Sequence, residues 1–432
     1  MLSSRIDIKE VQISIWEKTP LIFGTRNEKL EMLKTVILGF CRLALAKQAI
    51  LSYLLKLDSP CVLSLRGYNK IAENLQNRSA NIITSVLTVL KQKKFSVAQK
   101  LFRHQHGVTY DMLLKEGSSF DIAGKDVLVF LHIQKTGGTI FGRHLVRDLD
   151  LDKPCVCHRK RKRCDCFRPF SKTRQWLFSR YSTGWKCGLH ADWTELTPCV
   201  DQALDLYEGT PMKRRYFYIT ILRDPVHRYL SEFRHVQRGA TWKHSRHFCG
   251  GKEFVFNIPK CYKGDNWTDV ELDDFMNCPH NLANNRQTRM LADLNLVGCY
   301  NSSLMDPEVR DQIMLTSAKT NLARMAFFGL TEQQQMTQYV FEETFQLDFL
   351  VPFEQYNATL AYLTLSELNP EQQKRVKELN RLDIELYQFA VDLLNQRFEI
   401  LKSRDGDFPH HWNRIITKSN ETVDVDFEQE SS

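Results

Sequence analysis

Residues 135–139, with the sequence KTGGT, have the types and order that can hold a phosphate group. They follow an apolar run at 127–131. Glycines allow the backbone to approach a ligand closely, N–H groups at a helix N-terminus attract anions, and a lysine adds a positive charge. In a Walker loop the glycine precedes Lys-Ser/Thr, whereas here the lysine comes first. We therefore predict a phosphate site of another kind, with an ordinary strand-to-helix turn as the alternative.

A second group of polar residues predicts a second phosphate contact. In ITILRDPVHRYLSEFRH, Arg223 stands where a strand should end and Pro225 where a helix should begin. Arg228, Ser231 and His235 follow at spacings i, i+3 and i+7, which place them on one helix face. A phosphate gripped by Arg223 and Ser231 would fit between the two units. The alternative is a solvated helix face.

The elements that would position these residues form a repeated strand-to-helix pattern. DVLVFLHI is followed by TIFGRHLVRDL, RYFYITIL by PVHRYLSEFRHVQ, and MAFFGL by TEQQQMTQYVFEETF. This repetition predicts an α/β fold with a central parallel sheet flanked by helices. Insertions at about 152–200 and between the second and third units are expected to build the substrate side.

The two ends of the chain differ from this middle part. Residues 1–115 are helix-prone and are interpreted as an atypical helical extension. Beyond Pro370, apolar residues such as Val376 and Leu386 recur at helical spacing, which predicts one long amphipathic helix packed on the domain, with a coiled-coil partner as the alternative. Residues 116–404 would form the main folded domain, and 405–432 a loose polar tail.

Composition indicates a globular protein with an anionic partner. The chain has 432 residues, 43% of them hydrophobic, which is enough to bury a core and argues against a disordered chain. Its net charge of +8 favours nucleic acid, anionic lipid or an acidic polysaccharide. Composition alone does not choose among them.

Cysteine usage predicts a disulfide framework in an oxidising compartment. Ten of the twelve cysteines fall in the middle of the chain: Cys155, Cys157, Cys164, Cys166, Cys187, Cys199, Cys249, Cys261, Cys278 and Cys299. Five Asn-X-Ser/Thr triplets agree with a secretory route. The basic run HRKRKR at 158–163 lies between two Cys-X-Cys pairs, which suits a disulfide-pinned loop that binds an anion. A zinc site, a nuclear-import signal and a nucleic-acid patch are the alternatives.

The N-terminal residues do not resemble a secretion signal. MLSSRIDIKEVQISIWEKTP carries charges that are too closely spaced for an apolar signal segment. Residues 35–55 are the best membrane candidate, but Arg42 and Lys47 interrupt them, and each would cost about 2.5–3.5 kcal/mol at mid-bilayer. An amphipathic helix that does not span the membrane is the favoured interpretation.

Several long segments, in order, resemble the heparan sulfate 6-O-sulfotransferase family. They are FLHIQKTGGT, STGWKCGLHADWTEL, ILRDPVHRYLSEFRHVQRGATWK, NLANNRQTRMLADLNLVGCYN and MAFFGLTE. The similarity runs from about Phe120 to about Arg404. It implies a Golgi membrane enzyme with a lumenal catalytic domain, a heparan sulfate acceptor and no nucleic-acid partner. The N-terminal residues do not resemble this family, whose members begin with a short tail and a signal anchor.

The resemblance implies that 3′-phosphoadenylyl sulfate is the sulfate donor and that no metal is needed. His190, in GLHADW, would be the base that removes the proton of the acceptor hydroxyl, and Lys135 would stabilise charge on the bridging oxygen. The donor would contact His132, Ile133, Gln134, Lys135, Thr136, Gly137, Gly138, Thr139, Ile140, Arg223, Ser231, Glu354, Gln355, Tyr356, Thr359 and Leu360. The polysaccharide would contact Lys162, Arg163, Arg180, Trp185, His190, His235 and Trp242.

Two positions of the predicted donor site depart from the family pattern. Ile140 stands where the loop usually has a second threonine, and Leu360 replaces an arginine. These changes make a non-catalytic heparin-binding protein of the same fold the main alternative. A nucleotide-dependent kinase is disfavoured, because neither a Walker loop nor a magnesium-binding carboxylate motif is evident.

Overall fold

The fold is described from a computed structural model. The structure describes residues 107–115, 119–159, 161–241, 245–253, 259–354 and 360–418, apart from the side chains of 360–363 and 418. Predictions made for residues 1–106 and 419–432 lie outside the described residues.

Strands and helices alternate in the described ranges. The strands are β1 Asp126–Leu131, β2 Val156–Cys157, β3 Cys164–Asp165, β4 Leu177–Phe178, β5 Arg215–Leu222, β6 Phe248–Cys249, β7 Lys252–Glu253 and β8 Phe327–Leu330. The helices are α1 Tyr110–Leu113, α2 Gly138–Arg147, α3 Trp193–Glu208, α4 Pro225–Gln237, α5 Leu272–Asn277, α6 Arg286–Leu291, α7 Pro307–Arg324, α8 Gln334–Phe345, α9 Leu360–Glu367, α10 Pro370–Leu379, α11 Arg381–Arg404 and α12 Phe408–Lys418. Short 3-10 turns lie at Leu294–Val297 and Ser302–Leu304.

A four-stranded parallel sheet in the order β4-β1-β5-β8 forms the centre, as predicted. Each of the predicted strands β1, β5 and β8 is followed by a helix, respectively α2, α4 and α8. The side chains of Leu131, Phe217 and Phe327 are fully buried in the sheet. Burying one such side chain contributes about 1.5–3 kcal/mol, so the predicted apolar runs supply the core. Strand β4, only two residues long, was not predicted.

A second apolar cluster holds helix α4 in place. Tyr229, Leu230 and Phe233 on α4 are buried together with Phe275 of α5 and Val376 of α10. Asp224 caps the helix by accepting a hydrogen bond from the His227 N–H at 2.9 Å. The apolar face of α4 therefore fixes which of its polar residues reach the sheet edge.

The C-terminal part differs from the sequence-based prediction in two ways. The predicted long helix is broken at Asn380 into α10 and α11, because the Asn380 side chain donates to the Val376 carbonyl at 2.8 Å and its backbone leaves helical geometry. The expectation of a loose polar tail is wrong for α12, whose Ile415 is buried and whose Trp412 packs on Tyr339.

Residues just N-terminal to the predicted boundary at 116 also contact this domain. Gly107 forms a parallel bridge with Tyr216 of β5, and the Val108 N–H donates to the Tyr216 carbonyl at 2.7 Å. Tyr110 is buried beneath the guanidinium of Arg397, which lies 3.9 Å from its ring centroid. The packed domain therefore extends N-terminal to the predicted boundary. Among the described helices, none is long and apolar enough to cross a membrane.

Candidate functional site

The loop between β1 and α2 has the backbone shape of an anion cradle. Lys135 and Gly137 both adopt left-handed conformations, with φ of 65° and 77°, and Gly137 is the N-cap of α2. Thr136 is buried, and its hydroxyl donates to the Ile133 carbonyl at 3.1 Å. Alternating left-handed and right-handed residues turn successive N–H groups toward one concave face, which binds anions. The prediction of a phosphate loop agrees with this geometry.

Gly138 is required by a close approach within the loop. A Cβ atom at this position would lie 2.6 Å from Cδ2 and 2.8 Å from Nε2 of His132, whose ring stacks on Phe130. Any larger residue would push the His132 ring away. In the rest of the predicted loop, Ile133 and Gln134 are buried, Thr139 is half-buried and Ile140 is 44% exposed.

Three strand ends meet at this loop. The Thr331 hydroxyl, after β8, contacts the carbonyls of Thr136 and Leu222 at 2.8 Å and 3.0 Å. Arg223, after β5, donates from Nη1 to the Lys135 carbonyl at 3.3 Å. Because the carboxyl ends of parallel strands share one edge of a sheet, the fold brings the predicted phosphate residues together.

Several positive groups lie close together beside the loop, with the carboxylate of Glu232 near them. Burial lowers the pKa of Lys135, and the guanidinium groups of Arg238 and Arg223 lower it further, against the opposing effect of Glu232. Burial also lowers the pKa of Arg223. The pKa of His235 is lowered to about 4 by burial and then by the charges of Lys135 and Arg238. Clustered cations that lower one another's pKa are typical of a site for an anion.

Arg238 was missed by the sequence-based prediction. It is the exposed C-cap residue of α4. It lies three residues after His235 and seven after Ser231, so the helical spacing that identified those two residues also includes it.

Arg228 is placed differently from Ser231 and His235. It is fully buried, donates to the Ala283 carbonyl at 2.6 Å, and forms an ion pair with Glu232. Ser231 and His235 are half-buried. Arg228 therefore supports α4 from inside, and the interpretation of all three as one solvated face is wrong for this residue.

His190 is connected directly to the phosphate loop. Its Nδ1 atom lies 3.0 Å from the backbone carbonyl of His132. A carbonyl only accepts hydrogen bonds, so Nδ1 carries the hydrogen and the lone pair of the neutral ring is on Nε2. Burial lowers the pKa of His190 to about 4. The ring is therefore neutral at physiological pH, and its tautomer leaves Nε2 able to accept a proton.

Aromatic and cationic side chains surround His190 on the side of the insertion. The ring centroid of Trp185 lies 4.5 Å from that of His190, and the guanidinium carbon of Arg180 lies 5.8 Å from the Trp185 ring. Arg163 donates to the Thr183 carbonyl at 3.4 Å, and Lys162 is exposed beside it. The structure therefore places these four predicted polysaccharide contacts on neighbouring segments.

Disulfides hold the basic run and the segment that carries His190. Cys155–Cys166 and Cys157–Cys164 are nested across the β2–β3 hairpin, and Cys187–Cys199 joins the His190 segment to α3. Cys249–Cys299 and Cys261–Cys278 complete the set. The predicted disulfide framework is confirmed for all ten cysteines, and the zinc interpretation of the two Cys-X-Cys pairs is wrong.

Some predicted contacts lie outside the described residues. These are Trp242, Gln355, Tyr356, Thr359 and the side chain of Leu360, whose backbone begins α9. Glu354 is described and exposed. Their proposed contacts remain predictions.

A histidine between carboxylates lies on elements that carry none of the predicted site residues. His411 Nδ1 is 2.9 Å from Asp405 and 3.5 Å from Glu343. The hydrogen bond with Asp405 raises the pKa of His411, and Tyr339 also donates to Asp405, at 3.0 Å. A protonated imidazole therefore accounts for this grouping without a metal ion.

Comparison with known proteins agrees with the geometry. Residues 118–390 match the model of the sulfotransferase family. The chain is 57% identical to heparan-sulfate 6-O-sulfotransferase 2 of Danio rerio over 68% of its own length and 63% of that protein. It is 56% identical to heparan-sulfate 6-O-sulfotransferase 2 of Gallus gallus over 66% of its length and 71% of the relative.

The chain spans different shares of the human relatives. The chain is 57% identical to the human heparan-sulfate 6-O-sulfotransferase 2 but spans 47% of that protein. It is also 56% identical to the human heparan-sulfate 6-O-sulfotransferase 1, of which it spans 70%. The chain therefore belongs to the sulfotransferase family, among the heparan-sulfate 6-O-sulfotransferases.

Proposed function

We propose that this protein transfers a sulfuryl group from 3′-phosphoadenylyl sulfate to the 6-hydroxyl of glucosamine units in heparan sulfate. The observation that carries the proposal is the 3.0 Å contact between His190 Nδ1 and the His132 carbonyl. It joins a base of defined tautomer to the first residue of the phosphate loop. The names of the relatives support the acceptor and the position of transfer.

The donor fits the arrangement of anion-binding groups. It carries a 5′-phosphosulfate and a separate 3′-phosphate, which require two anion-binding sites. Residues 132–140 would hold the phosphosulfate, and Arg223 with Ser231 would hold the 3′-phosphate. Lys135 would stabilise the negative charge that develops on the bridging oxygen as its bond to sulfur breaks.

The reaction requires a proton acceptor on the sugar side. The 6-hydroxyl oxygen forms a bond to sulfur, its proton passes to His190 Nε2, and adenosine 3′,5′-bisphosphate leaves with the former bridging oxygen. Negative charge on the bound donor favours imidazolium, so donor binding would raise the pKa of His190 from its low value in the free protein. The base would then be strengthened when it is needed.

The acceptor surface has chemistry that suits a sulfated polysaccharide. Lys162, Arg163 and Arg180 supply cations, and the Trp185 ring offers a flat face for a sugar. The nested disulfides of the β2–β3 hairpin limit the conformations of the basic run. His235 and Trp242 would complete the acceptor surface on the α4 side.

The proposed location is the Golgi lumen, with membrane association. Five disulfides in the described residues support an oxidising compartment. Subcellular fractionation of the full chain with a lumenal protease-protection assay would test this. Cleavage of the catalytic domain without detergent would contradict a lumenal location.

Transfer of labelled sulfate from 3′-phosphoadenylyl sulfate to desulfated heparin tests the activity. Wild type should transfer label, and His190→Ala should lose at least about 100-fold in kcat because general-base catalysis typically contributes 10²–10⁴-fold. His280→Ala, at an exposed histidine outside the site, is the matched control and should retain full activity. Folded wild type that binds heparin but transfers nothing would support the non-catalytic alternative instead.

Lys135→Ala and Arg223→Ala test the two donor grips. Each variant should bind adenosine 3′,5′-bisphosphate at least about tenfold more weakly than wild type, because each loses a charged group facing a phosphate. Isothermal titration with the folded variants measures this. Unchanged affinity in both would place the donor elsewhere.

A further inference from the structure

Gln287 forms a two-point contact with the main chain of Arg223. Its Oε1 accepts from the Arg223 N–H at 2.9 Å, and its Nε2 donates to the Arg223 carbonyl at 2.9 Å. Pairing between β5 and β8 ends one residue earlier, at Leu222 and Leu330. The Gln287 amide therefore takes the place of a neighbouring strand at the first residue beyond the sheet.

Gln287 is itself held by reciprocal capping between two helices. The carboxylate of Asp383 accepts from the N–H groups of Gln287 and Thr288, at 3.0 Å and 2.7 Å. In return, the Asn285 side chain accepts from the N–H groups of Leu382 and Asp383, at 2.9 Å and 3.3 Å. The starts of α6 and α11 are thus locked together, and Gln287, which is 1% exposed, has little freedom to move.

Arg286, the residue before Gln287 on α6, contacts helix α4 beside Ser231, the second residue predicted to bind the 3′-phosphate. Arg286 donates from Nε to Glu232 on α4 at 2.8 Å. Glu232 follows Ser231 directly, so adjacent residues of α6 fix Arg223 on one side and the Ser231 turn of α4 on the other. The Gln287 amide thus uses both its oxygen and its nitrogen to bind the main chain of one residue, Arg223, which is a predicted donor contact.

We propose that Gln287 is a positioning residue for the donor site, which aims the Arg223 guanidinium at the 3′-phosphate of the sulfate donor. The inference rests on the proposed function. Arg223 must project from the sheet edge toward the Lys135 loop, and its direction is set by its own main chain. Without Gln287, the Arg223 N–H and carbonyl would lose both hydrogen bonds, and the contact of its guanidinium with the Lys135 carbonyl at 3.3 Å would be left to hold the side chain.

The experiment compares two nucleotides that differ only in the 3′-phosphate. Isothermal titration gives the Kd of adenosine 3′,5′-bisphosphate and of adenosine 5′-monophosphate for the full chain. Gln287→Met keeps the length of the side chain and removes both hydrogen bonds. We expect it to reduce the preference for the bisphosphate at least about tenfold, while Kd for the monophosphate changes less than about twofold.

A double-mutant cycle shows whether Gln287 acts through Arg223. In an Arg223→Ala background, Gln287→Met should cause no further loss of preference, because the group that it positions is gone. Gln175→Met is the matched control, since Gln175 is also fully buried and accepts from a backbone N–H, that of Cys166 at 3.1 Å. It should leave nucleotide preference unchanged.

The outcomes separate this inference from the proposed function. If wild type prefers the bisphosphate and Gln287→Met keeps the full preference, the inference is overturned and the donor site stands. An equal loss for both nucleotides would also overturn it, since this result indicates a general structural role. If wild type shows no preference, the proposed donor site fails, and the inference fails with it.

Should Gln287→Met not fold, Gln287→Glu is the second variant. It keeps the acceptor for the Arg223 N–H but loses the Nε2 donor. An unchanged preference for the bisphosphate in Gln287→Glu would refute the role of the lost Nε2 contact.

Discussion

The surroundings of His190 predict that kcat/KM falls with decreasing pH only well below the pH at which an ordinary histidine takes up its proton. Burial lowers the pKa of His190 from 6.5 to about 4, with smaller contributions from Arg286 and Arg180, although the bond to the His132 carbonyl opposes the shift. At pH 5.5 an ordinary histidine would be about 90% protonated, whereas a group of pKa about 4 would be about 3% protonated. Because only the neutral ring can accept the proton, kcat/KM at pH 5.5 should fall less than about twofold from its value at pH 7.5, whereas a base of pKa about 6.5 would lose about tenfold.

The assay is sulfate transfer at low concentrations of donor and acceptor between pH 4 and 8.5. Under these conditions the rate gives kcat/KM, which reports the pKa of the free enzyme, whereas kcat at saturation reports that of the complex. The acid limb of kcat should therefore lie at higher pH than that of kcat/KM, because the anionic donor raises the pKa of the base. An NMR titration of the His190 ring, assigned with His190→Gln, measures the same pKa without catalysis.

Protein stability must be followed in the same pH range. Between pH 4 and 6.5 the unfolded chain binds a proton at His190 that the folded chain does not, so stability falls as pH falls through this window. Circular dichroism at each pH separates unfolding from protonation of the base. Proton uptake by the His190 ring at about pH 6.5 in the NMR titration of fully folded protein would refute the assignment of a buried, neutral His190 as the base. The NMR signal is needed because the 3′-phosphate of the donor itself titrates at about pH 6.

Three further variants test the loop and the segment that carries His190. Gly138→Ala should leave the domain folded and reduce kcat at least about tenfold. The new Cβ would displace the ring of His132, the residue whose backbone carbonyl binds His190. An unchanged kcat would contradict this link. Ile140→Thr should strengthen binding of adenosine 3′,5′-bisphosphate by up to about tenfold, because the added hydroxyl would donate to the 5′-phosphate, and weaker binding in titration would show that the apolar side chain is favoured there. Replacing Cys187 and Cys199 by serine should lower the free energy of unfolding by about 3 kcal/mol, measured by denaturant titration, and a loss under 0.5 kcal/mol, on the order of one surface substitution, would argue against the bond.

The parts of the fold that could be predicted are those with a long repeating signal. The apolar runs that end at Leu131 and Leu222 are long, and each leads into a helical pattern, so their order and parallel pairing follow from general rules. Strand β4 has two residues, which is too few to show an alternation. The break at Asn380 was missed because the apolar spacing continues across it, while the interruption depends on one polar side chain that bonds to its own backbone.

The residues of the site that could be predicted from the sequence are charged residues at distinctive positions. Lys135 and Arg223 stand at the ends of apolar runs, where a parallel sheet brings them together. Arg238 has the right helical spacing but follows the predicted helix. Gln287 lies in one of the segments that resemble the family, but it is uncharged and no spacing rule assigns it a role. Contacts to main-chain atoms leave little trace in sequence, because many side chains can make them.

The His132 segment couples the two halves of the proposed reaction. Its backbone carbonyl sets the tautomer of His190, its ring packs against the first residue of α2, and the same stretch begins the loop that would hold the phosphosulfate. In the proposed complex, one short piece of backbone would therefore contact both the base and the 5′-phosphosulfate of the donor. Ile140 is exposed on the first turn of α2 and takes no part in the hydrogen bond that joins His190 to the His132 carbonyl, so we expect its departure from threonine to change the affinity for the donor more than the geometry of transfer.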